Sequence, residues 1–139
     1  MATFGSPKTI LGTAQKDAEA SHIAAAGRNF YIIWYEPADP TLRNQIHEVY
    51  FSRSTDRGSA FSPRVNLSNS PGRISDGEVI AVRGANIYVA RVEEDPVVNN
   101  KILFRRSTNN VTVLESVKTL SGAGNPWFLR SRRPAATST

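Results

Sequence analysis

The sequence has no cysteine, so it can hold neither a disulfide framework nor a thiolate metal site. That absence fits a reducing compartment and equally the many secreted proteins that fold without bridges, and it leaves localisation unknown. Histidine is scarce: His22 and His47 are too few and too far apart for a histidine-based metal centre, so no metal is expected. No apolar run approaches the roughly 20 residues a membrane-spanning helix needs, so no membrane span is expected. The first eleven residues also lack the basic-then-apolar order of a signal peptide. Gly12, Gly72, Gly122 and Gly124 fall between strand-like segments and not between a strand and a helix, which removes the phosphate-cradling loops and with them any expected cofactor.

An excess of charge of one sign is missing from most of the chain as well. The net charge is +5, yet residues 1–125 carry fourteen of the seventeen Lys and Arg and all twelve Asp and Glu, so Arg130, Arg132 and Arg133 supply three of the five. A nucleic-acid groove needs a clustered basic stripe with stacking aromatics, and the body offers scattered, mixed charge instead. No nucleic-acid partner is expected.

What the sequence does contain is a repeat. The polar stretch Ser54-Thr55-Asp56-Arg57-Gly58-Ser59-Ala60-Phe61 lies between the apolar runs Val49-Tyr50-Phe51 and Val65-Asn66-Leu67. It reads as a tight turn between antiparallel strands, with Asp56 accepting hydrogen bonds from turn amides and Gly58 supplying positive φ. Fifty-three residues on, the pattern returns as Phe104-Arg105-Arg106-Ser107-Thr108-Asn109-Asn110. Upstream, the segment from His22 to Tyr31 aligns with that from Val79 to Tyr88 at an offset of 57. Each copy reads as strand, glycine-containing turn, strand, and the repeat overrules the helix that the alanines of Ala18–Ala26 would otherwise suggest. Phe30–Tyr35 and Ile87–Val92 are nearly continuous apolar strands, as expected for central positions covered on both faces. Acids and prolines at Glu36–Pro40 and Glu93–Pro96 predict a loop at the same phase of each copy, solvated and without the ligand spacing of a calcium site. The offset drops from 57 to 53 because the first of these loops is four residues longer.

Strands Ile46–Arg53 and Lys101–Arg106 lead into the two turns, and fourth strands are predicted over Ser62–Leu67 and Val113–Leu120. Ser6–Leu11 matches Ser62–Leu67, so residues 4–12 read as the final strand of a preceding unit, 13–68 as one unit and 69–121 as a second. The repeat region thus spans 1–126. Residues 127–139 lack alternation and read as a disordered basic tail, or as the product of a truncation or frame change.

The motif Ser-x-Asp-x-Gly-x-x-Phe at Ser54, Asp56, Gly58 and Phe61 resembles the Asp-box, or bacterial-neuraminidase repeat, of sialidase-like β-propellers. Ser107 and Asn109 stand as a degenerate copy in which Asn replaces Asp and Val111 replaces Gly, a residue disfavoured at positive φ. The resemblance implies an all-β fold of two four-stranded antiparallel blades in an incomplete ring. It gives the box a structural part at the blade periphery, its Ser and Asp tying the turn and its Phe packing beneath. Sialidases carry three arginines that clamp a carboxylate, a Tyr with a Glu partner and an Asp acid/base. Tyr31, Tyr35, Tyr50 and Tyr88 are present outside that motif context, and Arg133-Pro134 in the tail does not replace the Arg-x-Pro of a first blade. Tyr31 and Tyr88 are in phase, which favours packing over catalysis. The expected function is therefore a non-catalytic module for binding or scaffolding, with further blades, self-association or a glycan as partners. The alternative is a piece of an exo-sialidase or related glycoside hydrolase whose catalytic residues lie in other blades.

Overall fold

The computed structural model describes residues 5–10, 18–39, 46–94, 100–108 and 114–121. Among them are eight strands and no helix: β1 (Glu19–Ala26), β2 (Asn29–Pro37), β3 (His47–Ser54), β4 (Val65–Asn66), β5 (Ile74–Arg83), β6 (Asn86–Glu94), β7 (Lys101–Ser107) and β8 (Lys118–Thr119). They form two four-stranded sheets of the same order, β1-β2-β3-β4 and β5-β6-β7-β8. Every neighbouring pair is antiparallel. The all-β, two-unit reading of the sequence holds at this level, and the two sheets close no ring.

The first hairpin of each sheet turns on two residues, Gly27-Arg28 and Gly84-Ala85, between the pairs Ala26↔Asn29 and Arg83↔Asn86. Only the glycine has positive φ in each, +61° and +58°, the requirement of the primed turn whose twist matches that of the strands. The repeat extends to single hydrogen bonds. Leu67 N–H donates to Val49 O at 2.7 Å and Leu120 N–H to Ile102 O at 2.8 Å, while Val49 N–H and Ile102 N–H donate to the hydroxyls of Ser68 and Ser121 at 2.9 and 2.8 Å. Ring pairs recur too: Tyr31 and Phe51 stack with centroids 6.3 Å apart, Tyr88 and Phe104 at 6.4 Å.

Several boundaries differ from those the sequence suggests. The fourth strands shrink to two residues each; in the first, Pro63 has no N–H for a ladder and the Asn66 carboxamide turns the chain by accepting Ser68 N–H (3.1 Å) and Asn69 N–H (2.9 Å). Residues 5–10, expected as a strand of a preceding unit, pair with no strand among the described residues. β5 begins at Ile74, five residues before the expected Val79, and carries a bulge between Asp76 and Val79 where Gly77 has φ +57°. β2 and β6 run on through Glu36 and Glu93, into the segments where acids and prolines predict a loop.

Side chains alternate along each strand, so every sheet has two faces. Tyr31, Ile33, Val49, Phe51 and Leu67 of the first sheet form one buried cluster with Ile87 and Val89 of the second. The repeat equivalents of those first-sheet residues are Tyr88, Ala90, Ile102, Phe104 and Leu120. In β6, Tyr88 and Ala90 alternate with Ile87 and Val89 and so face away from the core. The sheets therefore pack front to back, the front of the first on the back of the second. Phe51 is fully buried and Phe104 half-buried. Phe51→Ala should cost about 3–5 kcal/mol in urea titrations, and Phe104→Ala clearly less; equal losses would mean that the two faces are equally covered.

Candidate functional site

The turn after β3 is tied by its own side chains. Ser54, buried at the strand end, donates its hydroxyl to Asp56 Oδ1 (2.7 Å) and accepts Gly58 N–H (2.8 Å) and Asp56 N–H (3.3 Å). Asp56 Oδ1 also accepts Ala60 N–H (2.9 Å), and Asp56 O accepts the Ser59 hydroxyl (3.0 Å). The Ala60 amide, and after it the Ser54 hydroxyl, hold the Asp56 carboxyl below the usual carboxylate range. Gly58 has φ +84°. A Cβ there would meet the Phe30 ring at an ordinary 3.6 Å, so the glycine is demanded by backbone conformation and not by space.

Arg57 also has positive φ, +62°, a cost the sequence motif did not announce; its N–H donates to Arg28 O (2.9 Å) and fastens this turn to the β1–β2 turn. Phe61 is half-buried. Ser107, the equivalent of Ser54, is buried with its hydroxyl 3.5 Å from Thr108 O, and Asn109 lies outside the described residues. Every described partner of Ser54 and Asp56 is local, an arrangement suited to holding a turn and not to chemistry on a ligand.

A second polar assembly runs from the far side of the first sheet into the junction between the sheets. Glu36 and Glu93, an equivalent pair, are buried and not solvated as the sequence suggested. Glu36 accepts Trp34 Nε1–H (2.7 Å) and is paired with Arg64, whose guanidinium lies 4.5 Å from the Tyr50 ring centroid. Glu93 is paired with Arg73 (2.6 Å) and with buried Arg91 (3.3 Å). Arg91 also donates to the Ser75 hydroxyl (2.6 Å) and to Ser68 O (3.4 Å). The Ser75 and Ser70 hydroxyls lie 2.8 Å apart, and Ser70 N–H donates to Glu48, which also accepts the Ser68 hydroxyl. Burial is tolerated because each of these charges has an opposite charge or several donors. The chain from Glu48 to Arg73 borders a cleft of about 480 Å³ lined by Ser68, Asn69, Ser70, Arg73, Arg91 and Lys101 among others. The equal phase of Glu36 and Glu93 marks the pair in the sequence but points to a solvated loop, not to these buried ion pairs; the serines give no signal.

The third cluster is titratable. Tyr35 OH donates to Glu19 Oε2 (3.0 Å), and the Tyr35 ring stacks on His47 at 4.9 Å. Burial first, then the Glu19 hydrogen bond and the charges of Glu19, Asp76 and Glu78, push the Tyr35 phenol up. Burial likewise raises Tyr31 and Tyr50, so none of these phenols is primed to ionise. Glu78 is 1% exposed and both its carboxyl oxygens, like His47 Nδ1, are buried without a hydrogen-bond partner. Burial, with the Asp76 charge adding, pushes the Glu78 carboxyl up to about 7. Among the described residues no group of His, Asp and Glu is arranged to hold a metal ion.

The chain matches no known protein family, no curated protein and no solved structure. A reactive carboxyl must be reachable, and Glu78 is sealed between the sheets; its neighbourhood is a protonation site in the core and not an active site.

Ser54→Ala leaves the half-buried Asp56 and Gly58 amides without this acceptor and should cost about 1–3 kcal/mol in denaturant titrations, whereas Ser59→Ala, at an exposed hydroxyl, should cost less. For Glu78 the folded carboxyl binds its proton more tightly than the unfolded one, so its contribution to stability is full below about pH 4.5 and is lost as pH rises to about 7. Glu78→Gln should remove that decline, raising the unfolding midpoint relative to the parent above pH 7. A parent whose stability does not fall over this window would contradict it.

Proposed function

We propose that this chain is a non-catalytic β-repeat module of the sialidase-like type, used for binding or scaffolding, with the cleft at the sheet junction as its ligand-facing feature. The observation that carries this reading is how the ionisable groups are employed. Ser54 and Asp56 tie a turn, Glu36, Glu48 and Glu93 neutralise or receive structural donors, and Glu78 is enclosed. What remains open is a cleft of mixed character, with hydroxyl, carboxamide and ammonium groups beside the Glu93 carboxylate and its two guanidiniums and the apolar Leu103 and Val117, a set suited to a hydroxylated ligand such as a glycan, with Lys101 for an acidic group.

A second reading, part of a sialidase-type glycoside hydrolase, is favoured by one contact, the Tyr35–Glu19 pair. A tyrosine beside a carboxylate is the nucleophile arrangement the resemblance leads one to seek, but here the carboxylate raises the phenol and no arginine is described in contact with the pair. Catalysis needs its groups to converge in one accessible pocket, and the loss of several is not made up by one that remains. The purified chain should leave a fluorogenic sialoside uncleaved from about pH 5 to about pH 7. It should show chemical-shift changes at Ser70 and Lys101 on titration with sialylated oligosaccharide. Turnover that disappears in Tyr35→Phe would put the enzyme reading first, and an absence of shifts at the cleft would remove the glycan.

A further inference from the structure

The second sheet exposes the face that the first sheet buries. Leu67 is 2% exposed and its repeat equivalent Leu120 is 61% exposed; Phe51 is fully buried, while Phe104 is only half so. Val79, on the same outward face through its pairing with Ala90, is 52% exposed. In the first sheet this face is covered by the back of the second, through Ile87 and Val89. The operation that carries the first sheet onto the second, applied once more, would seat the back of a third sheet here.

We propose that the back of the first sheet of a second copy docks on this face, joining chains head to tail. That back face carries Ile32 and Trp34, the repeat equivalents of Val89 and Arg91, with Ile23 beside Ile32 and 63% exposed. Its present cover already buries Trp34, which is 3% exposed, and leaves Ile23 open. Residues 5–10 lie across it without strand pairing, with Lys8 Nζ donating to Ser59 O (2.8 Å), and leave a cleft of about 360 Å³ against Ile32 and Trp34. Inside the chain the corresponding place against Val89 and Arg91 is held by Leu67 and Ser68. In the joint between copies Leu120 would take it, and residues 5–10 would give way. The joint is thus heterologous, of the kind that grows unless something caps it, and unlike a two-fold pairing of one face with itself. It stands independently of any ligand at the cleft.

The test uses charges placed at exposed positions, where they leave each fold intact by circular dichroism. The parent should show association that increases with concentration in sedimentation velocity. Val79→Lys with Leu120→Lys, which spoils the outward face of the second sheet, and Ile23→Lys, which spoils the back of the first, should each be monomeric alone. Mixed, they should form a one-to-one pair that grows no further, since each retains the face the other lacks. A parent that stays monomeric at all concentrations overturns the proposal. So does a mixture that fails to pair, or a closed dimer lost in the Val79/Leu120 variant and retained in Ile23→Lys, which would mean that the second-sheet face meets itself.

Discussion

Arg91 is the group on which the joint between the sheets depends. It is a guanidinium buried between them, and its hydrogen bonds reach Glu93 on its own strand, Ser75 on β5 and the Ser68 carbonyl on the connection from the first sheet. Burial draws its pKa down and the Glu93 charge opposes that. A buried guanidinium is tolerable only while its donors are used, so the loop from Leu67 to Arg73 has little freedom in how it passes from one sheet to the next. Apolar burial alone is indifferent to register, whereas this chain of polar contacts is satisfied in one arrangement. It fixes which face of the second sheet meets the first.

Front-to-back stacking follows from that choice and has a cost. Packing like faces would let two sheets bury one apolar face each and leave both polar faces to water. Packing unlike faces leaves the second sheet's Val79 and Leu120 in solvent. It also asks the first sheet to bury Trp34, Glu36, Glu48 and Tyr50 on its far side, which it does with Arg64 and the serines. Repeat proteins accept this because each unit expects a neighbour on either side.

Much of this was legible in the sequence, for physical reasons. The two-unit organisation shows because hairpins demand glycine at fixed places, Gly27 and Gly84, and because stacked ring pairs recur at the same phase. The turn at Ser54–Phe61 was legible since local side-chain bonds need particular residues at particular spacings. Strand ends were not: whether Glu36 and Glu93 extend a strand depends on Arg64 and Arg73, which come from distant parts of the chain. The bulge at Gly77 and the enclosure of Glu78 are likewise products of sheet-on-sheet packing, to which a local pattern is blind. The junction serines, Ser68, Ser70 and Ser75, look like ordinary loop residues until the fold brings them to Glu48 and Arg91.

If the polar joint makes the sheets one structure, they should unfold together. Native-state amide exchange followed over rising denaturant resolves this strand by strand. The protected amides of β2 and β3 and those of β5 and β6 should converge on one opening free energy with the same denaturant dependence. Two separate limits, with the second sheet opening fully while β2 and β3 stay protected, would contradict the account, because Arg91 would then link the sheets in geometry and not in stability.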